Sequence, residues 1–181
     1  MALAGTASCG ESKLRGIAVD PPRAAPPLVV RRDDGSTFDL ARERGRVVLL
    51  FFGYTHCPDI CPTTLADWRK VKRALGADSA RARFVFVSVD PARDSPRVAQ
   101  AYAAQFDAGF IGLSPDSTDL PAIQYGFGVT STREAGTGAS GYLVSHASQA
   151  FLVAPDGQLR LLYSFGASPE DVVADIRELL P

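Results

Sequence analysis

"RVVLLFFGYTHCPDICPTTL", residues 46–65, is the stretch on which the reading of this chain turns. It opens on an unbroken run of β-branched, aliphatic and aromatic residues. Such a run, with no polar alternation, predicts a central strand over 46–54, buried on both faces. The run ends in Cys57 and Cys61, each followed by a proline. Beyond them Leu65, Trp68, Val71 and Leu75 recur at three- and four-residue spacing, which predicts a helix over 61–75. Pro58 suits a first helical turn, where a missing N–H costs nothing. Cys57 would then stand near a helix N-terminus, where unpaired N–H groups and the helix dipole favour a thiolate.

Outward from this stretch the chain reads as strand, helix, strand, helix. "RFVFVSVD" (83–90) is a second buried strand, and "SPRVAQAYAAQF" (95–106) a helix with Ser95 as N-cap and Pro96 at its first position. That order implies a parallel βαβ unit. On the N-terminal side, "LVVRRDDGSTFDL" turns at Asp34-Gly35 and predicts a hairpin. On the C-terminal side, residues 118–127 predict a helix and 134–141 a Gly-rich loop. "QAFLVAPDGQLRLLYSF" predicts a hairpin turning at Asp156-Gly157, and Ser168-Pro169 starts a last amphipathic helix ending at Leu180. Residues 1–27, rich in Ala, Gly and Pro, are expected to be a flexible or extended lead-in, and residues 28–181 the folded domain.

Composition excludes several classes. The chain has 181 residues, 46% hydrophobic, and fits one domain with a sizeable core. Nineteen basic and twenty acidic residues leave a formal net charge of −1, so nothing favours nucleic acid or an anionic membrane surface. No apolar stretch approaches the roughly 18 residues that suggest a membrane span. "MALAGTASCGES" lacks the basic and apolar regions of an intact signal peptide. Cys9, after Ala7 and Ser8, reads either as the lipidated first residue of a lipoprotein or as a spare thiol in a tail.

The topology, with a cysteine pair where the first central strand gives way to a helix, is similar to the thioredoxin fold. Three chemistries compete at that pair. A staple closing so short a loop removes little chain entropy. A redox dithiol is plausible, although thioredoxin-type enzymes place two residues between their cysteines and this chain has three. A metal site needs a third ligand beside two soft thiolates, which select Cu(I) or Zn over hard cations. The chain has two histidines. His56, beside Cys57, reads as an exposed modulator, since neighbours at a strand end point apart. His146, in "GYLVSHASQAFLV", falls where thioredoxins carry a cis-proline facing the cysteine loop. An imidazole there favours metal over disulfide exchange.

These residues resemble the Sco/SenC family, copper-binding thioredoxin-like proteins that help assemble the CuA centre of cytochrome c oxidase. The resemblance covers roughly residues 28–180. It is carried by "FFGYTHCPDICPTTL", "VSVDPARDSP" (87–96), "YGFGV" (125–129) and "YLVSHASQAFLVAPDGQL" (142–159). It implies a central mixed β-sheet flanked by helices, with an added N-terminal β-hairpin. It implies copper ligands at Cys57, Cys61 and His146, and a supporting acid at Asp90. Asp59 is not among the implied ligands; it reads either as a helix cap or as a charge that repels anions.

The function implied is a metallochaperone for Cu(I) or Cu(II). The alternative is a thiol–disulfide oxidoreductase in which Cys57 and Cys61 keep the CuA cysteines reduced. The implied partners are the oxidase subunit carrying CuA, another copper chaperone and a thiol reductant. The implied location is extracytoplasmic, in the periplasm or on the outer face of the cytoplasmic membrane, with a membrane tether at or before the N-terminus.

Overall fold

The structure, a computed structural model, describes residues 14–135 and 141–181. Its frame is a mixed six-stranded sheet, and its first strand is one that sequence reasoning missed. β1 (Ile17–Ala24) runs antiparallel to the last strand, with a register shift between Ala18 and Arg23. It falls inside the lead-in expected over residues 1–27, so the folded domain starts well before Leu28. Its prolines are tolerated because it lies at the sheet edge, where N–H donors are dispensable. Asp175, on the last helix, anchors its start: the carboxylate accepts the Arg15 and Gly16 N–H groups, each at 2.8 Å. The Tyr163 hydroxyl donates to the same carboxylate at 2.9 Å. Cys9 lies outside the described residues.

β2 (Val29–Arg31) and β3 (Thr37–Asp39) form the expected N-terminal hairpin, a separate two-stranded sheet. β4 (Val47–Gly53) is buried at every position. Val47, Leu49 and Phe51 enter one core, and Val48, Leu50 and Phe52 the other. α1 (Ile60–Leu75) crosses to β5 (Ala82–Ser88), which pairs parallel with β4 from Val47–Ala82 to Gly53–Ser88. α2 (Pro96–Phe106) starts on Ser95, whose hydroxyl accepts the Val98 N–H. It leads to β6 (Ile111–Leu113), a three-residue strand parallel to β5 that carries too little pattern to be read from sequence.

α3 (Leu120–Phe127) follows, then β7 (Ser131–Ala135) and β8 (Tyr142–His146), which among the described residues pair only with each other. Part of the loop expected over 134–141 is thus strand, and its residues 136–140 lie outside the described ones. β9 (Ala150–Val153) and β10 (Gln158–Tyr163) form the terminal hairpin, and α4 (Pro169–Leu179) closes the chain. The sheet order β1-β10-β9-β4-β5-β6 puts β4 in the middle, antiparallel to β9 and parallel to β5. α1, α2 and α4 cover one face, while α3 and the β2–β3 hairpin cover the other. Among the described residues no helix is long and apolar enough to cross a membrane.

Candidate metal centre

The C-terminal end of a central strand in an open α/β sheet is where ligand-binding groups emerge. Residues 54–59 leave that end of β4, and their path is fixed by a buried acid. Asp94, fully shielded from solvent, accepts the Thr55 N–H at 2.9 Å and the Thr55 hydroxyl at 2.6 Å. It also accepts the Ser88 hydroxyl at 2.6 Å. Val89 N–H donates to the Gly53 carbonyl at 2.8 Å, and Cys57 N–H to the Tyr54 carbonyl at 3.2 Å. Asp94 is the residue sequence reasoning missed. Its only signal was a second aspartate in the same "DPARDSP" stretch, four residues after Asp90.

The helix begins at Ile60, so Pro58 precedes it and Pro62 occupies the first turn instead. Asp59 stands at the N-cap, yet its side chain makes no cap. The Cys57 sulfur takes that part: the Cys61 N–H, one of the orphan donors of the first turn, points at Cys57 Sγ from 3.4 Å. Cys57 is half-buried and Cys61 buried, and both are free thiols. Cys61 Sγ lies hard against the strand end, since a Cβ at Gly53 would meet it at 2.6 Å. Gly53 is therefore demanded by a close approach rather than by its backbone angles.

His146 arrives from the other side, at the end of β8. Its Nε2 lies 3.5 Å from Cys61 Sγ, and its Nδ1–H donates to the Ala147 carbonyl at 2.9 Å. That bond sets the tautomer and turns the Nε2 lone pair toward the sulfurs. The rings of Phe51 and Tyr54 pack edge-on against the imidazole, with centroids 5.9 and 5.6 Å away. The ligand atoms of Cys57, Cys61 and His146 all lie within 4.8 Å of one another. A cleft of about 300 Å³, lined by Tyr54, Cys57, Ile60, Leu143 and His146 among others, opens onto them.

The two thiols differ sharply. A hydrogen bond from Cys61 holds the Cys57 thiol down at about 4, against the cost of burial and with help from His146 and from the Cys61 and Asp59 N–H groups. The same bond, with burial and the neighbouring Cys57 charge, pushes Cys61 above the ordinary thiol range. For His146, burial opposes protonation, but hydrogen bonds to Cys57 and to the Ala147 carbonyl outweigh it and raise the imidazole. The neutral-pH arrangement is one thiolate, one thiol donating to it, and an imidazole beside both.

The other expected residues fall outside this group. His56 is largely exposed, 3.1 Å from the Thr55 hydroxyl and 3.9 Å from Asp94. Asp90 is buried at the end of β5, and its carboxylate meets Arg93, Tyr142 and Arg133 rather than the sulfurs.

Fold and site define a thioredoxin-like domain whose loop after the central strand gathers two thiols and an imidazole. The SCO1/SenC family profile matches residues 20–181, and the chain belongs to that family. A Stutzerimonas stutzeri protein, whose name describes copper binding, is 37% identical over 139 residues, 76% of this chain and 68% of that one. The solution structure of apo Sco1 from Thermus thermophilus superposes with a TM-score of 0.82 at 36% identity, covering 94% of this chain and 99% of that one. Bradyrhizobium japonicum ScoI, solved with copper bound, gives a TM-score of 0.79 at 30% identity, covering 87% of this chain and 99% of its own.

Proposed function

We propose that this chain is a copper metallochaperone, taking copper as cargo on Cys57, Cys61 and His146 and supporting assembly of the CuA centre of cytochrome c oxidase. The observation that carries the reading is the approach of two sulfurs and one imidazole nitrogen within 4.8 Å, from segments 85 residues apart. Two thiolates and a neutral imidazole make a soft donor set suited to Cu(I). Three ligands leave an open side at the cleft, through which an acceptor's thiolate or imidazole can enter before the donor's leaves. Loading displaces the thiol proton of Cys61, and the metal's charge favours that loss. Asp90 supports the site from beyond the ligands. The acceptor is the oxidase subunit carrying CuA. The domain works outside the cytoplasm on a membrane tether, with Cys9 a candidate for lipid attachment.

The split between the thiols favours a second reading. A thiolate at Cys57 can attack a partner's disulfide, releasing one partner thiolate and forming a mixed disulfide. Cys61, losing its proton, then attacks Cys57, frees the second partner thiolate and closes the Cys57–Cys61 bond. The partner gains two electrons and the pair loses two. The same dithiol thus serves to reduce the CuA cysteines.

Copper titration of the fully reduced protein, followed by metal analysis, tests the first reading. One copper per chain, lost in Cys57→Ser, is expected. No binding, or equal binding in that variant, overturns it. Disulfide exchange retained in His146→Ala while copper affinity falls assigns the second role to the thiols alone.

A further inference from the structure

β7 and β8 make no ladder with the six-stranded sheet. Side chains tie this hairpin to the cysteine loop, and Arg93 makes several of those contacts. Its guanidinium lies over two aromatic rings. One is Tyr142 on β8, with Cζ 3.6 Å from the ring centroid. The other is Tyr54 of the cysteine loop, 5.6 Å away. Arg93 Nε donates to the Asp90 carboxylate, and an Nη donates to the Tyr142 carbonyl at 2.9 Å. Asp90 in turn accepts the Tyr142 hydroxyl at 2.7 Å. Tyr54 packs against His146.

Strand geometry converts this grip into a ligand position. Side chains at every second residue share a face, so Tyr142, Val144 and His146 project together. Their burial agrees: Val144 is buried and the other two partly so, while Leu143 and Ser145 between them are exposed. Slipping β8 by one residue would turn that face outward and offer Ser145 where His146 stands. A planar guanidinium can stack on a ring while its edge makes two directed hydrogen bonds, which an ammonium cannot. An ion pair in such a buried setting is weak evidence for stability but a known way to fix register.

We propose that Arg93 is the positioning residue for His146: clamped between Tyr54 and Tyr142 and tied to Asp90, it fixes the register of β8 against the cysteine loop. This rests on the reading of His146 as a copper ligand. The support expected of Asp90 then passes through Arg93 and Tyr142 into the strand that carries the ligand.

The test reads the metal-free protein and copper binding separately. In the metal-free protein, NMR should show NOEs from the His146 imidazole to the Phe51 and Tyr54 rings. Arg93→Gln is expected to lose them. It should also lower copper affinity about tenfold, as loss of an outer support commonly does. In a His146→Ala background it should cost nothing further, because the two changes act through one residue. Arg93→Lys keeps the charge without the stack, is expected to lose the same NOEs, and carries the test should Arg93→Gln not fold. Intact NOEs in a folded Arg93 variant, or an equal affinity loss with and without His146, would overturn the assignment. A wild-type protein that shows the NOEs but binds no copper would overturn the proposed function and leave Arg93 judged by the NOEs.

Discussion

Cys57 and Cys61 stand where β4 enters α1, at the middle of the six-stranded sheet, whereas His146 ends β8, in a hairpin that shares no ladder with that sheet. The first region is held by parallel pairing to β5, by a helix N-terminus and by the buried Asp94 carboxylate. The second is held by aromatic faces, an ion pair and hydrogen bonds made by the Tyr142 carbonyl and hydroxyl. The difference teaches where such a site stores rigidity and where it keeps freedom. The sulfurs are part of the core's architecture. The imidazole is brought to them by a separate element.

The largest effect on stability should come from the cysteine side. Asp94→Ala leaves the Ser88 hydroxyl and the Thr55 N–H and hydroxyl without their acceptor, at a cost of about 1–3 kcal/mol for a buried donor left unpaired. A loss of about 3 kcal/mol in urea unfolding is expected, and a value within 0.5 of zero, on the order of an ordinary surface substitution, would deny that the loop is held this way. Gly53→Ala comes next, at about 1–3 kcal/mol, because the new methyl must displace the Cys61 sulfur. Its second signature is weakened copper binding. A stable variant with unchanged copper affinity would show that the seat of Cys61 is not tight.

A third prediction separates the two thiols by pH. Cys57 is held down at about 4, so its thiolate persists from alkaline pH down to that value. A group with a depressed pKa keeps its charge-dependent stabilisation above the unfolded value and loses it as pH falls through the folded one. Iodoacetamide should therefore label Cys57 at a nearly constant rate from pH 9 to pH 5, falling only as pH approaches 4. Cys61, buried and raised, should stay unlabelled across that range. A Cys57 rate that climbs tenfold per unit between pH 6 and 8 would contradict this. The last expected difference is in dynamics alone and needs no substitution. Amides of β4 should exchange slower than those of β8, by about 3 kcal/mol of opening free energy or more, since short, exposed elements open locally. Equal protection would make the hairpin part of the core.

Much of this was legible in the chain. The apolar run of β4 and the period of α1 located the cysteines, and the imidazole at His146 was read as facing them from a turn. The parts that were not legible share a physical cause: their order comes from distant partners. β1, with Pro21, Pro22 and almost no buried side chain, reads as a lead-in because Asp175 and β10 supply its hold. β8 does not read as a strand because its ladder is confined to β7, and what places it lies in Arg93 and Asp90. Asp94 looks like a turn residue until Thr55, 39 residues away, is seen to bond to it. Asp59 has the type and position of a helix cap, yet a sulfur took that role.

X-ray absorption at the copper edge reads the neighbours of the metal directly. Loaded on the reduced wild-type protein, copper should show two sulfur neighbours and one nitrogen, and in His146→Ala the two sulfurs alone. A wild-type spectrum without nitrogen, or one unchanged by His146→Ala, would contradict a site shared between the sheet's cysteines and the hairpin's histidine.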